Sequence, residues 1–321
     1  MKFPTKHEHI NIFILYILFT CFVVGLFVVR LTTPRPSVLP RQDFHEVLSS
    51  PPTSTQPLFD LSVFSNIPIE GKAYLVYDLE NHAIIASRNE TSVLPLASLT
   101  KVMTAVTAIL HHPRETKIII RKESLDGGLD LGLKNNQSWT LKELLKYTLV
   151  FSSNDGAQII ADSLGGRDVF VEQMNQDAKT LGLNLHFTSP AGLDLHGNVG
   201  GTGSALDVAK LISFARILVP DIFDATTHPR ATVVASTGRI SGVPNTNQET
   251  GNLSGIEASK TGFTDLAGGN LAVVVDFTVG HPVAIIVLGS TREGRFRDVD
   301  TLYKALQKSV SVMADDQTKE R

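Results

Sequence analysis

The sequence predicts an α+β fold: an antiparallel sheet flanked by helices, with a helical subdomain inserted between its strands. Three observations predict it. β-rich runs gather at both ends of the globular part, over 72–87 and 256–288. Residues 140–218 between them read as successive helices. An amphipathic stretch follows the last strand and is suited to cover the sheet.

Composition sets the frame. The 321 residues, 42% of them hydrophobic, allow one large domain or two modest ones. The net charge of −3, without a Lys/Arg block, argues against a nucleic-acid partner. One cysteine, Cys21, excludes an internal disulfide and a cysteine zinc cluster.

Residues 1–11 are a short N-terminal segment. Ile12 to Val29 is an uncharged apolar run, about the minimum length that spans a bilayer. Val28-Val29-Arg30-Leu31 offers no small-x-small cleavage site, so 12–29 reads as an uncleaved transmembrane signal anchor. Basic residues on both sides leave its orientation open. Residues 30–66 are rich in Pro, Ser and Thr and read as a tether spanning on the order of 35 Å. The globular domain is expected over 67–313, with a polar tail over 314–321.

Within the domain, Lys72–Asp78 and His82–Ser87 flank a short polar turn and predict a hairpin. Lys117–Ile120 is a short strand candidate. Residues 121–138, with Gly127, Gly128 and Gly132, read as a loop; Asp126 and Asp130 there lack a cation-loop spacing. Thr140 to Glu143 is a capping box before Leu141, Leu144, Leu145 and Leu149. Further helices are expected over 157–164, 168–181 and 204–218. Strands are expected over 256–261, 271–278 and 282–288, and a closing helix over 298–312.

One helix is anomalous. From Leu99 to Leu110 the only charged residue is Lys101, so the helix is suited to burial on all sides. A buried lysine needs a partner or a task. Ser98 lies three residues earlier on the same face, within reach of the amine. It also sits where free backbone N–H groups at a helix start favour developing negative charge. Hydroxyl, base and oxyanion site thus share one turn. The plainer alternative is a capping serine beside a snorkelling lysine.

Two further motifs bear on that choice. Ser152-Ser153-Asn154 falls at a helix end, and Lys260-Thr261-Gly262 at the end of a strand candidate. Ser-x-x-Lys, Ser-x-Asn and Lys-Thr-Gly in this order are the trio of penicillin-binding proteins and class A β-lactamases. Ser87-x-Asn89 also fits the second pattern but precedes Ser98. Around the trio stand Leu99-Thr100-Lys101-Val102-Met103-Thr104, Phe170 to Asn175, Pro190-Ala191-Gly192-Leu193 and Phe263-Thr264. With these phrases the chain resembles the D-alanyl-D-alanine carboxypeptidase family, the low-molecular-mass penicillin-binding proteins, over residues 66 to 312.

The resemblance implies a β-lactamase/transpeptidase-like fold and a site without metal or cofactor. Ser98 would attack the penultimate D-alanine carbonyl of a peptidoglycan stem peptide. Lys101 would be the general base, its neutral form favoured by burial and by nearby Lys260. Ser152 would relay a proton to the leaving amine, and Asn154 would hold the substrate backbone and Lys101. Lys260 and Thr261, with Gly262 beside them, would receive the terminal carboxylate. The N–H groups of Ser98 and Phe263 would form the oxyanion hole. β-Lactams would acylate Ser98 as slowly released covalent inhibitors. The catalytic domain would stand on the extracytoplasmic side of the cell membrane.

Three alternatives share the fold. A class A-like β-lactamase needs a deacylating glutamate on a loop, and Glu172 falls in a helical pattern instead. A silent wall-binding module should have lost Ser98, Lys101 or Lys260. A D,D-endopeptidase acting on crosslinks would share all the chemistry. Metal-dependent chemistry lacks a His-Glu-x-x-His. Arg292, Arg295 and Arg297 follow the last strand; any one of them could assist the carboxylate, although exposed loop arginines are the simpler reading.

Overall fold

The computed structural model describes residues 59–121, 133–195, 197–278 and 280–319. The expected anchor over 12–29, the tether up to Leu58, and Asp126 and Asp130 lie outside these residues. Among the described residues, no helix is long and apolar enough to cross a membrane.

The hairpin of β1 (Ala73–Asp78) and β2 (Ala83–Arg88) comes first. β3 (Leu94–Pro95) leads into a 3-10 turn over Ala97–Leu99 and then α1 (Thr100–His111). β4 (Lys117–Ile119) and β5 (Ser138–Thr140) precede α2 (Leu141–Val150), α3 (Asn154–Ser163) and α4 (Arg167–Thr180). β6 (His186–Phe187) and β7 (Gly201–Gly203) precede α5 (Ala205–Leu218) and α6 (Pro220–Asp224). A second hairpin, β8 (Arg230–Ala235) and β9 (Gly238–Pro244), comes next. β10 (Ile256–Thr264), β11 (Gly268–Thr278), β12 (His281–Ser290) and α7 (Gly294–Lys319) end the chain.

The main sheet has five antiparallel strands in the order β10-β11-β12-β1-β2. β1 pairs with β12, Leu75 opposite Ile286, so the two ends of the domain meet at its centre. Helices cover both faces, which is why β1 is buried along its whole length and reads as a nearly continuous apolar run. Leu75, Val274 and Ile286 join the core shared with α1 and α5. Val76, Val273 and Ile285 face Val299, Leu302 and Leu306 of α7. Each such side chain contributes roughly 1.5–3 kcal/mol when fully buried.

Several boundaries differ from the sequence expectations. The folded domain takes in 59–66: Phe59 and Phe64 are buried in the α7 core, and Asp60 N–H bonds Ser309 O at 3.2 Å. The tether expected through 66 is therefore folded in its last part. α7 starts at Gly294 and runs past 314, where a polar tail was expected. The helical lobe also carries a four-stranded sheet, β4-β5-β8-β9. β9 is Gly-Arg-Ile-Ser-Gly-Val-Pro, largely exposed, and shows little two-residue alternation that would mark it. The capping box is half made. Thr140 accepts from Glu143 N–H at 3.2 Å, while the Glu143 carboxylate accepts from Val234 N–H at 2.8 Å.

Asp298 staples the ends together. Only 2% exposed, it accepts from Glu70 N–H and Gly71 N–H, both at 2.9 Å, and from Ser290 Oγ at 2.7 Å. Asp298→Ala leaves these donors without their acceptor. The expected loss is about 3 kcal/mol in urea-unfolding stability. A loss below about 1 kcal/mol would show that the donors find other partners.

Candidate active site

Ser98 sits, half-buried, in the 3-10 turn just before α1. Its side chain caps neither the turn nor the helix, so the capping alternative does not hold. Ala97 before it has φ +48°, a left-handed conformation that costs of order 1 kcal/mol or more. Two neighbouring backbones hold this turn in place. At Gly262 an added Cβ would lie 2.7 Å from Leu96 O, and at Gly192 it would overlap Ala97 O. Glycine is required where backbones approach this closely.

Lys101, in the first turn of α1, is fully buried. Its Nζ lies 2.8 Å from Ser98 Oγ, 2.8 Å from Asn154 Oδ1 and 2.7 Å from Ala191 O. The helix geometry places serine and lysine on one face, and α3 and the 189–192 loop close around them. Thr104, one residue short of a turn further on, bonds Pro190 O at 2.6 Å and fixes that loop.

The second motif spans a junction rather than ending a helix. α2 stops at Val150, and Ser152 takes a left-handed φ of +61°. Ser153 caps α3 by accepting from Gly156 N–H at 2.7 Å. Asn154 is the first residue of α3 and meets Lys101.

The third motif lies inside β10, the terminal strand of the sheet, which runs on to Thr264. Lys260 is 1% exposed and donates to Ser152 Oγ at 2.8 Å and to Thr261 O at 2.9 Å. Burial, then the charges of Lys101 and Arg295, hold its amine well below the usual lysine range. Thr261 is 3% exposed, and its Oγ1 shares a 2.6 Å hydrogen bond with Thr246 Oγ1.

The three arginines take separate places. Arg295 is buried, and its Nη1 donates to Gly262 O at 2.7 Å. Burial and Arg292 lower its pKa to about 10. Arg292 lies over the Phe263 ring at 3.7 Å, and Arg297 pairs with Glu70 at 2.5 Å. Exposed loop arginine is therefore wrong for Arg295. Counting back four from Val299 puts Arg295 on the buried face of α7, a signal the sequence does carry. The Ala191 carbonyl and Thr246 had no such signal.

Hydroxyl, amine, second hydroxyl and second amine thus converge, Ser98 with Lys101 and Ser152 with Lys260. A serine touching a buried lysine is an activated nucleophile. A family model described as D-alanyl-D-alanine carboxypeptidase matches residues 61–292. The chain belongs to the D-alanyl-D-alanine carboxypeptidase family. It is a serine-type peptidase, hence a hydrolase.

Relatives of this family bear both activity names. The chain is 29% identical to D-alanyl-D-alanine carboxypeptidase DacB2 of Mycobacterium tuberculosis, over 65% of this chain and 72% of that one. It is 32% identical to a D-alanyl-D-alanine endopeptidase of Pseudomonas aeruginosa, over 73% and 76%. Among solved structures, ampicillin-bound penicillin-binding protein D2 of Listeria monocytogenes matches with a TM-score of 0.66. That match has 30% identity and covers 75% of this chain and 99% of that one. Together these matches bear out the expected penicillin-binding, transpeptidase-like fold.

Glu172, the one tempting deacylating glutamate, is exposed on α4 rather than on a loop. A groove of about 700 Å³ lies elsewhere, bordered by Lys146, Arg216, Asp221 and Glu257, and includes none of the three motifs.

The lowered Lys260 pKa makes a stability prediction for this carboxypeptidase-family domain. Between the folded pKa and the unfolded value near 10.5 the unfolded chain binds more protons, so stability rises with pH there. Below that window the buried ammonium costs stability. Lys260→Met should therefore raise the thermal midpoint more at pH 7 than at pH 10, compared with the parent at each pH. An equal gain at both would show that Lys260 does not titrate in that range.

Proposed function

We propose that the protein is a serine-type D-Ala-D-Ala carboxypeptidase that trims peptidoglycan stem peptides through an acyl-enzyme on Ser98. The observation that carries this reading is the 2.8 Å contact from the fully buried Lys101 Nζ to the half-buried Ser98 Oγ. A neutral amine has two hydrogens and one lone pair. Donation to Asn154 Oδ1 and Ala191 O uses both hydrogens. The lone pair then faces the serine hydroxyl, as a general base requires.

The reaction follows from these positions. The substrate's terminal carboxylate lies at Lys260 and Thr261, where it favours an ammonium at Lys260 and thus a neutral amine at Lys101. Lys101 takes the Ser98 proton as Oγ attacks the penultimate D-alanine carbonyl. The oxyanion is met by the N–H groups of Ser98 and Phe263. Ser152 passes its proton to the departing amine as it takes one from the Lys260 ammonium bonded to it, and D-alanine leaves. Asn154 holds the substrate backbone. Water then hydrolyses the ester on Ser98: its proton passes through Ser152 to Lys260, and Lys101 returns its own to Ser98 Oγ. Gly262 lets β10 lie against the serine turn, and Arg295 holds its carbonyl in register.

D,D-Endopeptidase action on crosslinks is the second reading, favoured by the 32% identity to the Pseudomonas aeruginosa endopeptidase. A class A-like β-lactamase is disfavoured by the place of Glu172. Residues 12–29 we take as a single-pass anchor and the following stretch as a tether, with the domain outside the membrane; the uncharged apolar run supports this. Full-length protein should stay with membranes on alkaline extraction, and removal of 1–29 should release it. Release of the full-length chain overturns the anchor.

The enzymatic reading is tested with a fluorescent penicillin. Parent protein and Ser98→Ala are each followed by intact mass. A lasting adduct on the parent alone is expected, with release of D-alanine from a pentapeptide stem. Rapid drug turnover without an adduct would mean a β-lactamase. Cleavage of crosslinked muropeptides in preference to pentapeptide would mean an endopeptidase. A folded parent with neither adduct nor turnover would mean a silent module.

A further inference from the structure

Thr246 belongs to no motif of the trio, yet it reaches the heart of the third one. Its Oγ1 lies 2.6 Å from Thr261 Oγ1, and either oxygen can be the donor. Its N–H bonds Val150 O at 3.1 Å, at the end of α2 just before Ser152. The residue before it, Asn245, bonds Thr226 O at 2.8 Å and His228 O at 3.0 Å through its side chain. Thr226 in turn accepts from Ser259 N–H at 3.0 Å, on the same strand as Thr261. Asn247 N–H returns to Asn245 Oδ1 at 2.9 Å. Asn245-Thr246-Asn247 is thus a bracket joining α2, the 225–227 turn and β10.

Hydrogen counting gives the bracket a chemical role. The two hydroxyls own two hydrogens, and one lies in the bond between them. A carboxylate can only accept. If Thr261 donates to Thr246, the remaining hydrogen is on Thr246 and Thr261 has none to offer the carboxylate. If Thr246 donates, the Thr261 hydrogen is free for it. A bound carboxylate therefore selects one direction, and the relayed bond is strengthened by the charge at its end.

We propose that Thr246 is a positioning residue that fixes the Thr261 hydroxyl as a donor and so favours substrates with a free terminal carboxylate. This rests on the reading that Lys260 and Thr261 receive that carboxylate. Thr246 acts through Thr261 and need not touch substrate.

The experiment compares two substrates on the parent, Thr246→Val and Thr246→Ser. One is an acylated peptide ending in D-Ala-D-Ala. The other is the matching D-alanyl ester, whose leaving group carries no carboxylate. Thr246→Val should lower kcat/KM for the peptide about tenfold, mainly through KM, as expected for one lost charge-assisted hydrogen bond. The ester should lose at most about twofold, and Thr246→Ser should restore the peptide to within about threefold of the parent. Equal loss on both substrates would mean that Thr246 only shapes the cleft, and no loss would mean that it does nothing here; either overturns the proposal while leaving the carboxypeptidase reading intact. A folded parent inert toward both substrates would overturn both readings.

Discussion

A lysine amine buried at the start of a helix is the constraint on which the rest of this structure depends. Lys101 Nζ meets Ser98 Oγ, Asn154 Oδ1 and Ala191 O, and so ties α1 to α3 and to the 189–192 loop. A buried amine of this kind is tolerated only when its hydrogens are satisfied. Those partners must be held still, and the fold does so at local cost. Ala97 and Ser152 both take left-handed backbone angles without being glycine. Such strain survives only where surrounding structure over-determines it. Here the surroundings are Gly262 and Gly192 pressed on the serine turn, and the apolar cores on both faces of the sheet.

The other half of the site depends on an edge. β10 is the terminal strand of the sheet, so one row of its backbone groups points away from β11. An open edge suits recognition of an extended peptide, because main-chain groups supply the binding. It also invites pairing with other chains. The protein blunts it at Ser259, where Thr226 takes the N–H and accepts the hydroxyl. From the opposite direction, Arg295 fixes the Gly262 carbonyl. Beyond Ser259 the strand continues through Thr261 and Phe263, with Gly262 between them against the serine turn.

The contrast between what the sequence shows and what it hides follows the same physics. Lys101 was legible because a charge inside an apolar helix breaks a strong periodic pattern. The strands of the main sheet and α1 to α5 were legible because burial imposes their spacing. β3, β6 and β7 are two or three residues long, too short to carry any period. β9 is mostly exposed and so has no burial pattern to show. The site reads in the same way. Ser98, Ser152, Asn154, Lys260 and Thr261 stand in compact motifs, so neighbours in the chain are neighbours in the pocket. Thr246 reaches Thr261 across a loop, and the Ala191 contribution is a main-chain carbonyl that any residue would present. Neither contact leaves a mark on residue type.

The buried lysines also bear on the carboxylate proposed for this cleft. Lys260 is held by neutral oxygens, Ser152 Oγ and Thr261 O. Burial and the charges on Lys101 and Arg295 all weigh against a proton on it. An arriving carboxylate reverses that balance, because an opposite charge at short range restores the ammonium. The proton that settles on Lys260 is one that Lys101 need not carry, since two close amines titrate as a pair. In the proposed reaction, binding the leaving D-alanine and freeing the base that activates Ser98 then become one event. A substrate without the carboxylate would enter the same cleft but leave the pair unbiased. In the proposed reaction, selectivity for a free C-terminus would arise from the cost of burying two lysines together, and the fold meets that cost whether or not substrate is present.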